Sequence, residues 1–141
     1  MRKTALLTLA AAALLAVGCG DDSDSDSSDE ARAAAASVTP AEAIGEIAEV
    51  RTGLVQGLAA YRQGDADRAD ELVGDAYLEH FELVEGPLEQ RDEELNEELE
   101  ELIRETLRGR IQAEAPVAAV AGLVAEAERG LDRAELALEA K

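Results

Sequence analysis

The stretch Thr39-Pro40-Ala41-Glu42-Ala43-Ile44-Gly45-Glu46-Ile47-Ala48-Glu49-Val50-Arg51-Thr52-Gly53-Leu54-Val55-Gln56-Gly57-Leu58-Ala59-Ala60-Tyr61-Arg62-Gln63-Gly64-Asp65 decides the fold. It opens on a capping box, in which a Thr and a Glu three residues later satisfy each other's free backbone amides. Pro40 stands at the first helical position, where its missing N–H is no loss. Ile44, Ile47, Ala48, Leu54, Val55, Leu58 and Tyr61 then recur with the 3.6-residue period of a helix that has one apolar face. Gly64 ends the pattern, and Asp65 is placed to cap a second helix.

Working outward, the second helix carries Ala69, Leu72, Val73, Ala76, Tyr77, Phe81 and Val84, and Gly86-Pro87 is expected to break or kink it. Asp92 caps a third, with Leu95, Leu99, Leu102, Ile103, Leu107 and Ile111 as its apolar positions. Pro116 starts a fourth, with Val117, Val120, Leu123, Val124, Leu131, Leu136 and Leu138. Gly122 and Gly130 are expected to weaken that helix by about 1 kcal/mol each relative to Ala. No segment alternates with period two, and no internal repeat stands out. There is no Trp, and Tyr61, Tyr77 and Phe81 are the only aromatics, so the core must be built from aliphatic side chains. Short connections between helices of similar length predict an all-α, antiparallel up-down four-helix bundle over residues 39–141.

Upstream of the bundle the chain reads as an address. Residues 1–18 begin with Arg2 and Lys3 and continue in an Ala/Leu run from Leu6 to Leu15, the length of a signal-peptide core and too short to span a bilayer. The sequence Ala16-Val17-Gly18-Cys19 resembles a bacterial lipobox, with the usual Leu displaced by one position to Leu15. The resemblance implies cleavage before Cys19 and diacylation of its thiol, which makes Cys19 the expected lipidation site. Two or more acyl chains hold a protein on a membrane where one does not. Cys19 is the only cysteine, so no intramolecular disulfide forms. Residues 19–38 follow as a tether, and Gly20-Asp21-Asp22-Ser23-Asp24-Ser25-Asp26-Ser27-Ser28-Asp29-Glu30 has no apolar side chain to offset the entropy of ordering. The expected location is the cell envelope, lipid-anchored on the extracytoplasmic side.

The formal charge is −19, and loss of the two cations Arg2 and Lys3 with the signal takes it to −21. Such a field repels nucleic acid and attracts cations. Solubility alone also accounts for the acid. Catalytic constellations are missing. Beyond the tyrosines, the hydroxyls after Glu30 are Ser37, Thr39, Thr52 and Thr106, none beside an acid–histidine pair. No phosphate loop and no HExxH are present, and an enzyme is not expected. The one dense cluster of ligand-type side chains is Asp75-Ala76-Tyr77-Leu78-Glu79-His80-Phe81-Glu82-Leu83-Val84-Glu85-Gly86-Pro87-Leu88-Glu89, which holds the only histidine. Carboxylates, a phenol and an imidazole suit iron or another hard or borderline cation, and helical bundles build metal sites from inward-facing acids. Tyr77, Glu79, His80, Glu82 and Glu85 are therefore candidate ligands. On a helix His80 points about 100° away from Glu79, so a complete site needs a second helix, with Glu97 and Glu100 as the candidate donors. The same residues also fit a packed histidine, core aromatics and a solvated acidic face.

The succession Tyr61-Arg62-Gln63-Gly64-Asp65 with Ala69, then Asp75-Ala76-Tyr77, Phe81-Glu82 and Glu85-Gly86-Pro87-Leu88-Glu89, resembles the extracytoplasmic helical domain associated with bacterial iron permeases of the Ftr/Efe type. Leu99-Glu100 and Leu107-Arg108 resemble that domain's third helix, and the likeness covers roughly residues 40–140. The chain lacks the permease's transmembrane helices and their Arg-Glu-Gly-Leu-Glu signature. The resemblance thus implies an accessory role, binding or presenting iron or another cation to a separate permease. The alternative of a different class is a metal-free helical module that docks on an envelope protein.

Overall fold

The computed structural model describes residues 38–140. The signal peptide, Cys19 and the acidic tether lie outside the described residues, as does Lys141. All regular structure among the described residues is helical, in four helices: α1 (Pro40–Arg62), α2 (66–89), α3 (93–112) and α4 (Val117–Glu139). Among the described residues no helix is long and apolar enough to cross a membrane.

The caps form as the sequence dictates. Thr39 and Glu42 make both halves of the capping box, Asp65 accepts from the amide of Arg68, and Asp92 accepts from that of Leu95. Gly64 takes φ +85° after α1, a left-handed conformation that glycine adopts without strain.

Two kinds of helix make up the domain. Helices α1 and α4 are regular, and their buried positions step by four and three. These are Ala43, Ile47, Val50, Leu54, Gly57 and Tyr61 on α1, and Val120, Val124, Ala127, Leu131, Ala134 and Leu138 on α4. That alternation follows the heptad spacing of long packed helices. On α2 and α3 the buried residues instead recur every fourth position, as Ala69, Val73, Tyr77 and Phe81, and as Leu95, Leu99, Ile103, Leu107 and Ile111. A 3.6-residue helix drifts about 40° for each four-residue step, so four steps would swing the stripe by about 160°, away from the core. Both helices absorb the drift in a wider π-helical stretch, Ala76–Phe81 on α2 and Glu101–Leu107 on α3. In the first, the Glu82 amide reaches back five residues to the Tyr77 carbonyl.

Glycines set the closest approach. A Cβ on Gly53 would lie 2.5 Å from the Ala76 Cβ, and one on Gly57 2.8 Å from Val73 Cγ2. Helix α1 therefore lies against α2 at a distance only hydrogen permits. Gly130 of α4 is covered by Leu99 of α3 in the same way, so it is a packing position and not merely a weak point of its helix. Arg51 joins α1 to α4 through Glu128 (2.6 Å), Asp132 (2.8 Å) and Glu135 (3.4 Å). The Tyr61 hydroxyl donates to the Ala115 carbonyl and ties the end of α1 to the α3–α4 turn.

Expectations about three of the helices are corrected: on α4, Val117 and Leu136, read as apolar-face positions, are exposed. The apolar face of α1 is rotated: Ala43 and Val50 are buried, whereas Val55 is 58% exposed and Ala48 is exposed. Of the break or kink expected at Gly86-Pro87, the break does not occur: α2 runs on to Glu89 with Pro87 buried inside it. Gly86 has no Cβ to clash with the proline ring, which removes much of the usual penalty on the preceding residue.

Candidate functional site

Tyr77, in the π-helical stretch of α2, meets Arg104 in that of α3, and most of the predicted ligands lie near this seam. Tyr77 is buried on α2 and packs on Phe81, with ring centroids 5.8 Å apart. Its hydroxyl crosses two turns of its own helix to donate to Glu85 Oε1 at 2.7 Å. From α3, the Arg104 guanidinium carbon sits 5.8 Å from the centre of the Tyr77 ring, in cation–π range. Arg104 also pairs with Glu100 at 2.8 Å and with Glu105 at 3.1 Å. Tyr77, Glu85, Glu100 and Arg104 thus form one connected cluster, with Glu82 near enough to weigh on Glu85.

Electrostatics show how crowded the negative charge is. Burial raises the Glu85 carboxyl above its ordinary value, and the charges of Glu100 and Glu82 add to the rise, against the lowering effects of the Tyr77 hydroxyl and Arg104. The Tyr77 phenol is pushed well up, first by burial and then by the Glu85 carboxylate that accepts its proton. The neutral phenol is the form held here.

The remaining predicted residues go elsewhere. His80 faces α1, where its Nδ1 lies 2.8 Å from Glu46 Oε2, and both side chains are about 30% exposed. Glu79 points to solvent. Glu97 is exposed and, with Glu100, Glu101, Arg104 and Glu105, lines a shallow hollow on α3 beside the cluster. Among the described residues, no three His, Cys, Asp or Glu side chains converge in a metal-holding group.

Two partners escaped the sequence reading. Glu46 sits 34 residues before His80, on the flank of α1, and nothing local couples the two. Arg104 carried a weak signal, since Glu100 and Arg104 are an i, i+4 acid–base pair, the spacing that joins side chains on one helix. A further ionic clasp holds the same seam nearer the other end. Arg108 grips Asp70 with two hydrogen bonds, of 2.8 and 3.0 Å, and Gln112 adds a third at 3.1 Å. Arg108 holds the Asp70 carboxyl below its ordinary range. No protein-family model, curated protein or solved structure matches the chain.

Proposed function

We propose that this chain is a lipid-anchored, extracytoplasmic accessory protein that takes up iron or a similar cation weakly and presents it to a separate permease. The supporting observation is the cluster at the α2–α3 seam, where Glu100 and the Tyr77 ring meet Arg104, Tyr77 donates to Glu85, and the charges of Glu82 and Glu100 act on Glu85. The strongly acidic chain and the likeness to a permease-linked domain point the same way. No polydentate group of acids is assembled, so the proposal is of exchangeable binding, which suits handing an ion on rather than storing it. The antiparallel up-down arrangement belongs to this reading. It is supported by the opposed order of contacts along each pair, Gly53 to Ala76 and Gly57 to Val73 for α1 and α2, and Tyr77 to Arg104 and Asp70 to Arg108 for α2 and α3.

Calorimetric titration of the intact chain with iron(II) and manganese(II) tests the proposal. Replacing Glu82, Glu85 and Glu100 together by Gln should abolish saturable binding, whereas replacing Glu93, Glu94 and Glu98 should only reduce nonspecific attraction. Equal losses in both triple variants, screened equally by salt, would make the cation response a diffuse surface effect. The metal-free docking module would then be the better reading. One observation favours that alternative: His80 with Glu46, Tyr77 with Glu85, and Glu100 with Arg104 each pair within the domain and need no metal to be held in place.

A further inference from the structure

The acid that dominates this chain is missing from one face. Among the described residues, the two longest stretches without a charged side chain are 52–61 and 115–125. The first is the second half of α1; the second is the end of the α3–α4 turn with the first half of α4. The fold lays them side by side and pins both ends. Tyr61 donates to the Ala115 carbonyl at one end, and Arg51 holds Glu128, Asp132 and Glu135 at the other. Helical register then says which side chains show outward. Arg51 points to the α4 flank of α1, so Val55, Ala59 and Arg62, about one, two and three turns further on, continue that flank. All three are exposed, Val55 by 58%. From Asp132 and Glu128 the facing flank of α4 runs back through Ala125, Ala121 and Ala118, with Ala125 and Ala118 exposed and Val117, 43% exposed, beside its end. Two of the four large apolar side chains exposed among the described residues therefore stand on one two-helix face. At about 1.5 Å per residue and about 10 Å per helix, that face measures about 16 by 20 Å.

What covers the face follows from its edges. Each copy of the chain carries a net charge of −19, so two copies repel unless they meet where neither presents acid. A two-fold pair can set this face against itself in two ways. With the helices of the two copies parallel, the Arg51 end of one meets the Arg51 end of the other. That end holds one cation and three anions, so like charge would face like charge. With the helices antiparallel, the Arg51 end meets the partner's Arg62 end instead. Arg62 makes no ion pair among the described residues. Asp132, although Arg51 holds it, keeps 66% of its side chain exposed. The ends are complementary in the antiparallel pair alone.

We propose that the uncharged α1–α4 face is a self-association surface on which a second copy of this chain docks with antiparallel two-fold symmetry. Val55 and Ala125 pack near its centre, and Arg62 of each copy meets the Asp132 end of the other. The face is well under the roughly 800 Å² per partner of a standard stable interface, so the pair is weak and transient. The proposal owes nothing to the cation reading, whose seam lies between α2 and α3.

Sedimentation velocity of the intact chain, from about 10 μM to about 1 mM in about 0.15 M salt, tests this with the overall repulsion screened beyond about 8 Å. The parent should shift toward dimer as concentration rises. Val55→Glu and Ala125→Glu each put a charge into the contact and should raise the dissociation constant by about tenfold or more. Leu78→Glu adds the same charge at an equally exposed apolar site on α2 and should leave association unchanged. All of these positions are exposed, and helicity is checked for each variant. Arg62→Glu alone and Asp132→Arg alone should each weaken association, because each sets like charges together at both ends of the pair. Mixed one to one, those two variants should associate as well as the parent, since opposite charges then face each other at both ends. A parent that stays monomeric up to about 1 mM overturns the proposal. So does association that survives both Val55→Glu and Ala125→Glu, or a loss from Leu78→Glu as large as theirs. A mixture that associates no better than its two components overturns it as well, because the antiparallel pairing requires the rescue.

Discussion

Putting one methyl group on the face of α1 should have opposite effects at two positions eight residues apart. Gly45 is exposed, and nothing lies within 4 Å of the place its Cβ would take. Gly45→Ala should therefore gain the intrinsic helix preference of Ala over Gly, about 0.8–1 kcal/mol. Gly53→Ala makes the same gain but sets its Cβ 2.5 Å from the Ala76 Cβ and 3.3 Å from the Leu72 carbonyl. Both neighbours are backbone or attached directly to it, so no rotamer change relieves the overlap and the helices must move apart. Overpacking of this kind costs about 1–3 kcal/mol, and rigid neighbours place it in the upper part of that range. The net effect should be a loss of about 1–2 kcal/mol, against a gain of about 1 for Gly45→Ala. In a domain of this size each kcal/mol shifts Tm by about 4–8 °C, so thermal unfolding followed at 222 nm should separate the two variants by 10 °C or more. Equal stabilisation by both substitutions would mean that α1 and α2 do not approach as closely as the Gly53–Ala76 contact requires.

Asp70 and Arg108 should shape the acid limb of stability. The Asp70 carboxyl is held below its ordinary value of 3.8, chiefly by the hydrogen bonds from Arg108. Its contribution is therefore complete above that pH and lost as pH falls through the lower folded value. Asp70→Asn should cost about 1 kcal/mol at neutral pH, the scale of a partly exposed pair, and the two chains should converge in strong acid. Glu85 has the opposite sign: its carboxyl is raised above 4.5, so it weakens the fold progressively as pH rises through the folded value. Glu85→Gln should be more stable than the parent at neutral pH and no more stable below pH 4.5, as read from urea midpoints across pH. Cys19→Ser should block lipoprotein processing and acyl labelling, and labelling that survives the change would end the anchor assignment.

The helices were legible because their ends are chemically explicit: Thr39, Asp65 and Asp92 cap through side-chain oxygens, and Gly64 takes the left-handed turn. The core of α3 was legible too, since all six apolar positions read from its sequence are buried. Helix α1 was read with the wrong rotation because its seam uses Ala43 and Gly57. A hydrophobicity pattern undervalues such small residues, whereas packing needs them for close approach. The four-residue recurrence on α2 and α3 was present in the sequence and signals a π-helical stretch, but a 3.6-residue template absorbs it as noise. The site was half legible. Tyr77, Glu85 and Glu100 were found by ligand chemistry and come together, but the segment's own helix turns His80 toward Glu46, a partner set by tertiary packing alone.

The central claim is that cations bind at the α2–α3 seam and not over the acidic surface at large. The most direct measurement is paramagnetic broadening of backbone amide signals on addition of substoichiometric manganese(II) to the intact chain. The account predicts broadening concentrated at Glu82, Glu85, Glu100 and Arg104, with Glu93, Glu94 and the acids of α4 little affected. Broadening that tracks exposed carboxylates wherever they lie, or that centres on His80 and Glu46, would contradict it.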